Sequence, residues 1–126
     1  MSLQLSEIRK ATTMIVINHT KGITIGTQIT LANTSLTRLV GLAGRRRLDA
    51  GCGLLIKPSS GIHTFGMRFA IDVVALNKQL QVVKLWRRLP PFRVTSVSLH
   101  IHSVLELPSG TITNCQIDVG DQLEIA

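Results

Sequence analysis

Aromatic residues, cysteines and long apolar runs are all scarce in this chain. Three phenylalanines, one tryptophan and no tyrosine leave few side chains that could stack on nucleic-acid bases, which argues against a nucleic-acid partner. Two cysteines are too few for a disulfide-rich scaffold and lack the paired spacing of a zinc site. The apolar runs are short, so we expect no segment that spans a membrane.

What the chain has instead is a large share of aliphatic residues. Hydrophobic residues make up 44% of its 126 residues, and most are Ile, Val and Leu, which favour strands. A chain of this length can fold without disulfides. We predict one domain over residues 1–126, in which residues 1–11 are disordered or partly derived from a cloning vector. Cys52 and Cys115 are bonded to each other or free and buried, and their spacing does not decide between these states.

The net charge is positive and unevenly distributed. Fourteen Lys and Arg against seven Asp and Glu give a formal charge of +7. Eleven of the basic residues lie between Arg38 and Arg93 with only two acids, whereas four acids and no Lys or Arg follow from Val94 onward. We therefore expect a basic side, which is either a solvated surface or a contact surface for an anionic partner.

Alternation and turn residues predict about eight short strands. Apolar and polar positions alternate from Ile23 to Leu31, which is typical of a half-buried strand. Ile71–Leu76 and Leu80–Trp86 are apolar on both faces and are joined by Asn77–Gln79, which predicts a hairpin of two central strands. Further strands are predicted over Thr12–Asn18, Gly53–Lys57, Val94–Leu99, Ile101–Leu107 and Gln122–Ile125, with a short helix from Thr34 or Ser35 to Gly44. The predicted fold class is mainly β (α+β), a compact barrel-like sheet with one or two short helices.

Asp72 is the polar residue from which the most can be inferred. Alternation places it on the same strand face as Val74 and Leu76, at or near a buried apolar surface. A buried carboxylate needs a cation or several hydrogen-bond donors, and Arg38 and Arg68 are the cations we expect. A structural ion pair, or a cap on nearby backbone amides, is favoured over catalysis for this residue.

Two histidines give the spacing that most resembles a metal site. His100, His102 and Glu106 alternate onto one face of a predicted strand, and two histidines with a carboxylate can share a metal ion. No further ligand is apparent, and an exposed strand face explains the same pattern. We therefore predict no metal and no cofactor.

An ordered set of motifs covers residues 32–125. They are Arg38 to Gly41-Leu42, Gly53-Leu54-Leu55-Ile56, Ile62-His63-Thr64-Phe65, Met67-Arg68-Phe69, Ile71-Asp72-Val73-Val74, Val104-Leu105-Glu106-Leu107-Pro108, Gly110 and Gly120-Asp121. In this order they resemble the bacterial and archaeal family called domain of unknown function 192. The resemblance implies a compact, mostly β domain without an assigned activity. Its family-like polar residues are Arg38, His63, Arg68, Asp72, Glu106 and Asp121.

The start of the chain bears on the expected compartment. Met1–Lys10 contains Glu7 and has no apolar core of the kind a secretory signal needs. The chain as given is therefore expected to be cytoplasmic. Members of the family it resembles often look exported behind a hydrophobic leader, so an exported protein is expected if a leader has been removed.

These features favour binding over catalysis, and leave open whether the protein is an enzyme. We predict a non-catalytic domain that holds a small anionic ligand or a peptide end in a basic cleft, lined by Arg38, His63, Met67, Arg68, Asp72 and Glu106. The first alternative is a hydrolase-type enzyme that uses His63 with Asp72 or Glu106 as acid or base. The second is a basic surface that binds an anionic macromolecule through salt-sensitive contacts.

Overall fold

The computed structural model describes residues 13–33, 42, 45–62, 64 and 67–126. Several sequence predictions fall outside these residues and stay predictions. They are the state of residues 1–11, the helix between Thr34 and Gly44, and the positions of Arg38 and His63.

The described residues form a curled, seven-stranded sheet. The elements are β1 Thr13–Asn18, β2 Ile23–Ala32, β3 Cys52–Ile56, β4 Ile71–Leu76, β5 Val82–Leu89, β6 Ser103–Pro108, the short helix α1 Thr111–Asn114, and β7 Leu123–Ile125. The strand order is β5-β4-β6-β3-β2-β1-β7, in which β2 and β3 are parallel and the other neighbours antiparallel. A bridge between Gln81 and Gln122 brings the two ends of the sheet together as a half-barrel. The prediction of a mainly β, barrel-like fold is confirmed.

The predicted hairpin forms, but its second strand is not central. The Asn77 side-chain oxygen accepts hydrogen bonds from the amides of Gln79 and Gln81, which fixes the turn between β4 and β5. The sheet order places β4 inside the sheet and β5 at its edge. The prediction for β5 was wrong because both faces of this sheet carry a core, so even an edge strand is apolar on both sides.

The segment Val94–Leu99 was predicted as a strand and is irregular instead. Its backbone bonds are intermittent: the amide of Thr95 donates to the carbonyl of Ile62, and the amide of Ser98 donates to that of Ser60. Only Val94 of the segment has bridge geometry, and the register shifts by one residue between these two bonds, which interrupts a ladder. The segment therefore follows residues 60–62 without joining the sheet.

Two apolar cores lie on opposite faces of the sheet. The first core takes side chains from all seven strands and from α1 and the turn after it: Val16, Ile25, Ile29, Leu55, Val74, Leu76, Val82, Leu105, Leu107, Ile112, Ile117 and Leu123. The second core is on the other face: Ala32, Leu42, Leu54, Ile56, Met67, Ile71, Val73, Ala75, Ile101 and Val104. Every residue of β4 is buried, since this strand contributes to both cores.

The two cysteines are free thiols. Cys52 begins β3 and Cys115 follows α1, and both are half-buried. Burial raises the pKa of the Cys115 thiol. Of the two states that the sequence left open, the unbonded one is found. No helix of the described residues is long and apolar enough to cross a membrane.

Candidate functional site

Asp72 is buried on the face of β4 that contributes to the first core. Only 1% of the residue is exposed. Its Oδ1 accepts a hydrogen bond from the backbone N–H of Arg88 at 2.9 Å, and its Oδ2 accepts bonds from the N–H groups of Gly110 at 3.1 Å and Ile112 at 2.8 Å. Hydrogen bonds from amides to an ionised carboxylate are among the stronger ones in proteins. Three backbone donors therefore replace the water that burial removes.

Within the described part of the chain, no arginine side chain is paired with the Asp72 carboxylate. Arg68 is exposed, and the ion pairs within the described part of the chain do not include it or Asp72. Arg38 lies outside that part. The backbone cap, which the sequence left as an alternative to an ion pair, is the arrangement found.

Local distortions bring these amides to Asp72. Two residues of β5, Arg87 and Arg88, stand opposite Asp72 alone, which is a β-bulge. Arg88 has a φ of 51°, and this turn directs its N–H away from the ladder and onto the carboxylate. Gly110 has a φ of 95° before α1, a conformation that glycine adopts without steric cost. The geometry gives Asp72 a structural role in joining β4, β5 and α1.

Glu106 lies on the opposite face of the sheet from Asp72. It is in β6, paired with Leu54 of β3 and with Val73 of β4, and 2% of the residue is exposed. Burial raises the pKa of its carboxyl from 4.5 to about 7, and the positive charge of Arg45 opposes that rise. Unlike Asp72, Glu106 receives no hydrogen bond from the described residues. It is therefore a buried acid that exchanges its proton near neutral pH.

The sequence-predicted site residues separate between the two faces. Met67 is 5% exposed and belongs to the second core, on the same face as Glu106. Asp72 is on the first-core face, and Arg68 is exposed. The described structure therefore brings Glu106 and Met67 to one face and places Asp72 on the other. A cleft that also includes Arg38 and His63 stays a prediction.

A surface groove of about 620 Å³ lies elsewhere, where the β4–β5 turn meets the segment before β6. One wall is Asn77–Gln79 with Val83 and Lys84, and the other is Ser98–His102. The amide of His102 donates to the carbonyl of Leu76 at 2.8 Å and joins the two walls. We call this feature the basic groove.

Hydrogen bonds within each wall fix the shape of the basic groove. In the turn wall, the Asn77 side-chain amide donates to the side-chain oxygen of Gln81 at 3.0 Å. In the other wall, the amide of His100 donates to the Ser98 hydroxyl, and the amide of Ile101 donates to the Ser98 carbonyl. The lining is therefore held by bonds of the protein to itself and needs little rearrangement to accept a ligand.

The lining of the basic groove is cationic. It contains Lys78, Lys84, His100 and His102 and no Asp or Glu. The Lys84 Nζ donates to the Ser96 hydroxyl at 2.7 Å and lies 5.2 Å from the centre of the Trp86 ring. Within the described part of the chain, no carboxylate lies within 4.0 Å of either lysine amine. Since an ammonium group has three donors, both lysines keep donors for a ligand.

Sequence reasoning missed the basic groove. It placed His100 and His102 on one face of a predicted strand, whereas His100 lies in a turn and β6 begins at Ser103. No three possible metal ligands come together among residues 13–33, 42, 45–62, 64 and 67–126. One signal could have found the groove: the chain between Asp72 and Glu106 contains both lysines and both histidines and no acid.

Asp121, the last of the family-like polar residues, lies in the turn before β7, and its carbonyl accepts a hydrogen bond from the Val82 amide at 2.9 Å. Its carboxylate accepts hydrogen bonds from the Asn18 side-chain amide, the Lys21 amine and the backbone N–H of Asp118. Burial raises the pKa of this carboxyl, but the three donors outweigh burial and hold it below its ordinary value. Asp121 is thus a structural acid that fixes the turns before β2 and β7.

Comparison with known proteins follows the motif order seen in the sequence. The profile of the protein family DUF192, described as an uncharacterized ACR, matches residues 16–125. The chain belongs to this family. A UPF0127 protein of Pyrococcus furiosus is 32% identical to it over 112 residues, which cover 86% of this chain and 96% of that protein. The resemblance inferred from the motifs is confirmed, and DUF192 membership assigns no activity.

Two solved structures share the fold of this DUF192 chain. A protein of unknown function from Novosphingobium aromaticivorans DSM 12444 superposes with a TM-score of 0.78 at 19% identity, covering 88% of this chain and 83% of its own. A candidate transcription regulator from Sinorhizobium meliloti 1021 superposes with a TM-score of 0.76 at 21% identity, covering 89% of this chain and 91% of its own. At these identities the likeness shows the fold alone.

Proposed function

We propose that this protein is a non-catalytic binding domain whose basic groove holds a small anionic ligand, such as a phosphate ester, a polycarboxylate or the carboxylate end of a peptide. The observation that carries the proposal is the lining itself, which has two lysines and two histidines and no acid. The function is the one expected from the sequence, but the residues that support it are different.

The other lining residues suit a ligand with a polar head and an apolar part. Asn77, Gln79 and Ser98 offer neutral hydrogen-bonding groups, while Val83 and Ile101 offer apolar surface. Binding sites for small molecules commonly combine apolar walls with a few fixed polar groups. Because the walls are already tied together, little conformational entropy is lost on binding.

A titration with simple anions tests this proposal. Inorganic phosphate and citrate are added to the labelled protein, and backbone amide shifts are followed by NMR. We expect saturable shifts confined to residues 77–84 and 98–102. Replacing both groove lysines, Lys78→Gln with Lys84→Gln, is expected to weaken binding by roughly tenfold or more, about 1.4 kcal/mol.

The matched control is Arg68→Gln, which removes an exposed cation that does not line the groove. It is expected to leave the affinity unchanged. A groove site would be contradicted by shifts that do not saturate, or by an equal loss of affinity in the control and the lysine variant. Either result would show that anions are attracted to the positive protein as a whole.

A second candidate function, acid or base catalysis by Glu106, has one specific observation in its favour. A buried carboxyl with a pKa near 7 can both donate and accept a proton at neutral pH, as a general acid or base must. Glu106→Gln separates the two candidates, because Glu106 does not line the groove. Anion binding that survives this substitution while a hydrolytic activity is lost would place catalysis at Glu106.

A further inference from the structure

Exposed apolar side chains are concentrated in one short segment next to the basic groove. Six large apolar residues of the described chain are exposed, and four of them lie within residues 92–99, which we call the ridge. The exposed fractions are 66% for Phe92, 63% for Val94, 72% for Val97 and 101% for Leu99. Contiguous exposed apolar patches on soluble proteins mark contact surfaces, and these four residues lie close together along the chain.

The ridge is anchored, so its exposure is imposed by the fold. Thr95, in its middle, is 4% exposed. Its amide donates to the Ile62 carbonyl at 2.9 Å, and its hydroxyl accepts a bond from the Ile62 amide at 2.9 Å. The Ser98 amide donates to the Ser60 carbonyl. With Thr95 held inward, the apolar residues on either side of it face solvent.

The chain around the ridge carries cations and no acid. No residue between Asp72 and Glu106 is acidic, and the Lys and Arg residues in that stretch are all exposed: Lys78, Lys84, Arg87, Arg88 and Arg93. Lys84 is tied to the ridge through its bond to Ser96. The acids Asp118 and Asp121 are paired with Lys21, and Glu124 lies in β7.

We propose that the ridge docks on an anionic lipid surface, with Val94, Val97 and Leu99 entering the boundary between headgroups and acyl chains while the surrounding Lys and Arg side chains contact lipid phosphates. Apolar side chains flanked by cations are the combination that binds peripheral proteins to such surfaces. The occupant is a bilayer bearing negative headgroups. Because Ser98 and Leu99 of the ridge also line the basic groove, the test uses substitutions outside the groove to separate the two contacts.

The same charges disfavour other occupants. A second copy of the chain that used this surface on both sides would place its cations against identical cations, and like charges in contact oppose association. Single-stranded nucleic acid requires aromatic side chains for base stacking, and the apolar side chains of the ridge are aliphatic except for Phe92. A negative lipid surface is complementary to both the charge and the apolar side chains.

Co-sedimentation with vesicles tests the proposal. The full chain is mixed with vesicles of phosphatidylglycerol and phosphatidylcholine, and with vesicles of phosphatidylcholine alone. We expect binding to the mixed vesicles, and roughly tenfold weaker partition for Val94→Ser with Val97→Ser, because both residues belong to the ridge and neither lines the groove. The matched control is Val119→Ser, which replaces a valine that is 62% exposed and does not belong to the ridge, and it should bind like wild type.

Charge and source of binding are tested in the same assay. Arg87→Gln with Arg93→Gln should weaken partition into the mixed vesicles by a similar factor. Neither arginine lines the groove, so this loss would not reflect the groove. Excess inorganic phosphate should not release the protein from the vesicles. If phosphate releases wild type but not Lys78→Gln, the vesicles are bound through the groove, and the ridge proposal is overturned. Three other outcomes would overturn the ridge proposal. They are equal binding to neutral vesicles, binding of the serine variant at the wild-type level, and self-association that the serine variant abolishes.

Discussion

Asp72 and Glu106 are both acids on neighbouring strands, and at most 2% of either residue is exposed. On the first-core face, a bulge in β5 and the start of α1 supply three N–H donors to Asp72. On the second-core face, burial dominates and raises the pKa of Glu106 to about 7. Burial alone therefore does not define the environment of an acid, because Asp72 is held by three N–H donors whereas desolvation dominates at Glu106.

The largest expected effect is at Asp72. Asp72→Ala leaves three backbone N–H groups without their acceptor, and each unsatisfied buried group costs about 1–3 kcal/mol. We expect the free energy of unfolding in urea to fall by roughly 4 kcal/mol. Asp49→Ala is the control, since Asp49 pairs with Arg47 at the surface and exposed pairs contribute below about 1 kcal/mol. A similar small loss for both variants would show that the amide cap contributes little.

The next effect is a pH dependence at Glu106. Its folded pKa, about 7, exceeds the ordinary value of 4.5, so between these pH values the folded state holds a proton that the unfolded state has released. Stability therefore falls as pH rises from about 4.5 to 7, by about 3 kcal/mol in all. Glu106→Gln should abolish this loss and be more stable than wild type at pH 8.

Urea unfolding of wild type and Glu106→Gln at several pH values checks this prediction. The two curves of free energy against pH should converge below about pH 4.5, the ordinary pKa of Glu, and separate towards pH 8. Curves that stay parallel would show that Glu106 is ionised in the folded protein across this range, and would remove the contrast with Asp72.

The smallest effects should come from the arginines near Asp72 in sequence or space. Arg68→Ala removes an exposed side chain and should change stability by less than about 0.5 kcal/mol. Arg88→Gly keeps the N–H that Asp72 accepts and relieves a positive φ, so it should stabilise by up to about 1 kcal/mol. A loss of more than about 2 kcal/mol in either variant, measured by urea unfolding, would indicate that a guanidinium holds Asp72 after all.

Part of this arrangement follows from the sequence. Alternation in Ile71–Leu76 placed Asp72 on a buried face, and the turn residues Asn77–Gln79 indicated the hairpin that brings Arg88 opposite it. Its donors could not be predicted, because two of the three come from residues 110–112, and backbone amides carry no side-chain signature. The pattern also could not show that Asp72 and Glu106 face different cores, since the pairing of β4 with β6 is set by the whole sheet.

The basic groove was beyond prediction for a different reason. Its walls come from a hairpin turn and an irregular segment, joined by the bond between His102 and Leu76. Periodicity describes regular elements, and it misassigned 94–99 as a strand. The charge distribution did indicate a basic side, but not which residues of that side form a concave surface.

The hydrogen bonds from main-chain amides to Asp72 also limit which substitutions this part of the chain can accept. Its three partners contribute main-chain N–H groups, which every amino acid except proline provides, so residues 88 and 112 can change their side chains without a compensating change at 72. A search for co-varying positions would therefore find no trace of this linkage. The trace it should leave is an exclusion: proline at 88, 110 or 112 is incompatible with an aspartate at 72 that is bound in this way.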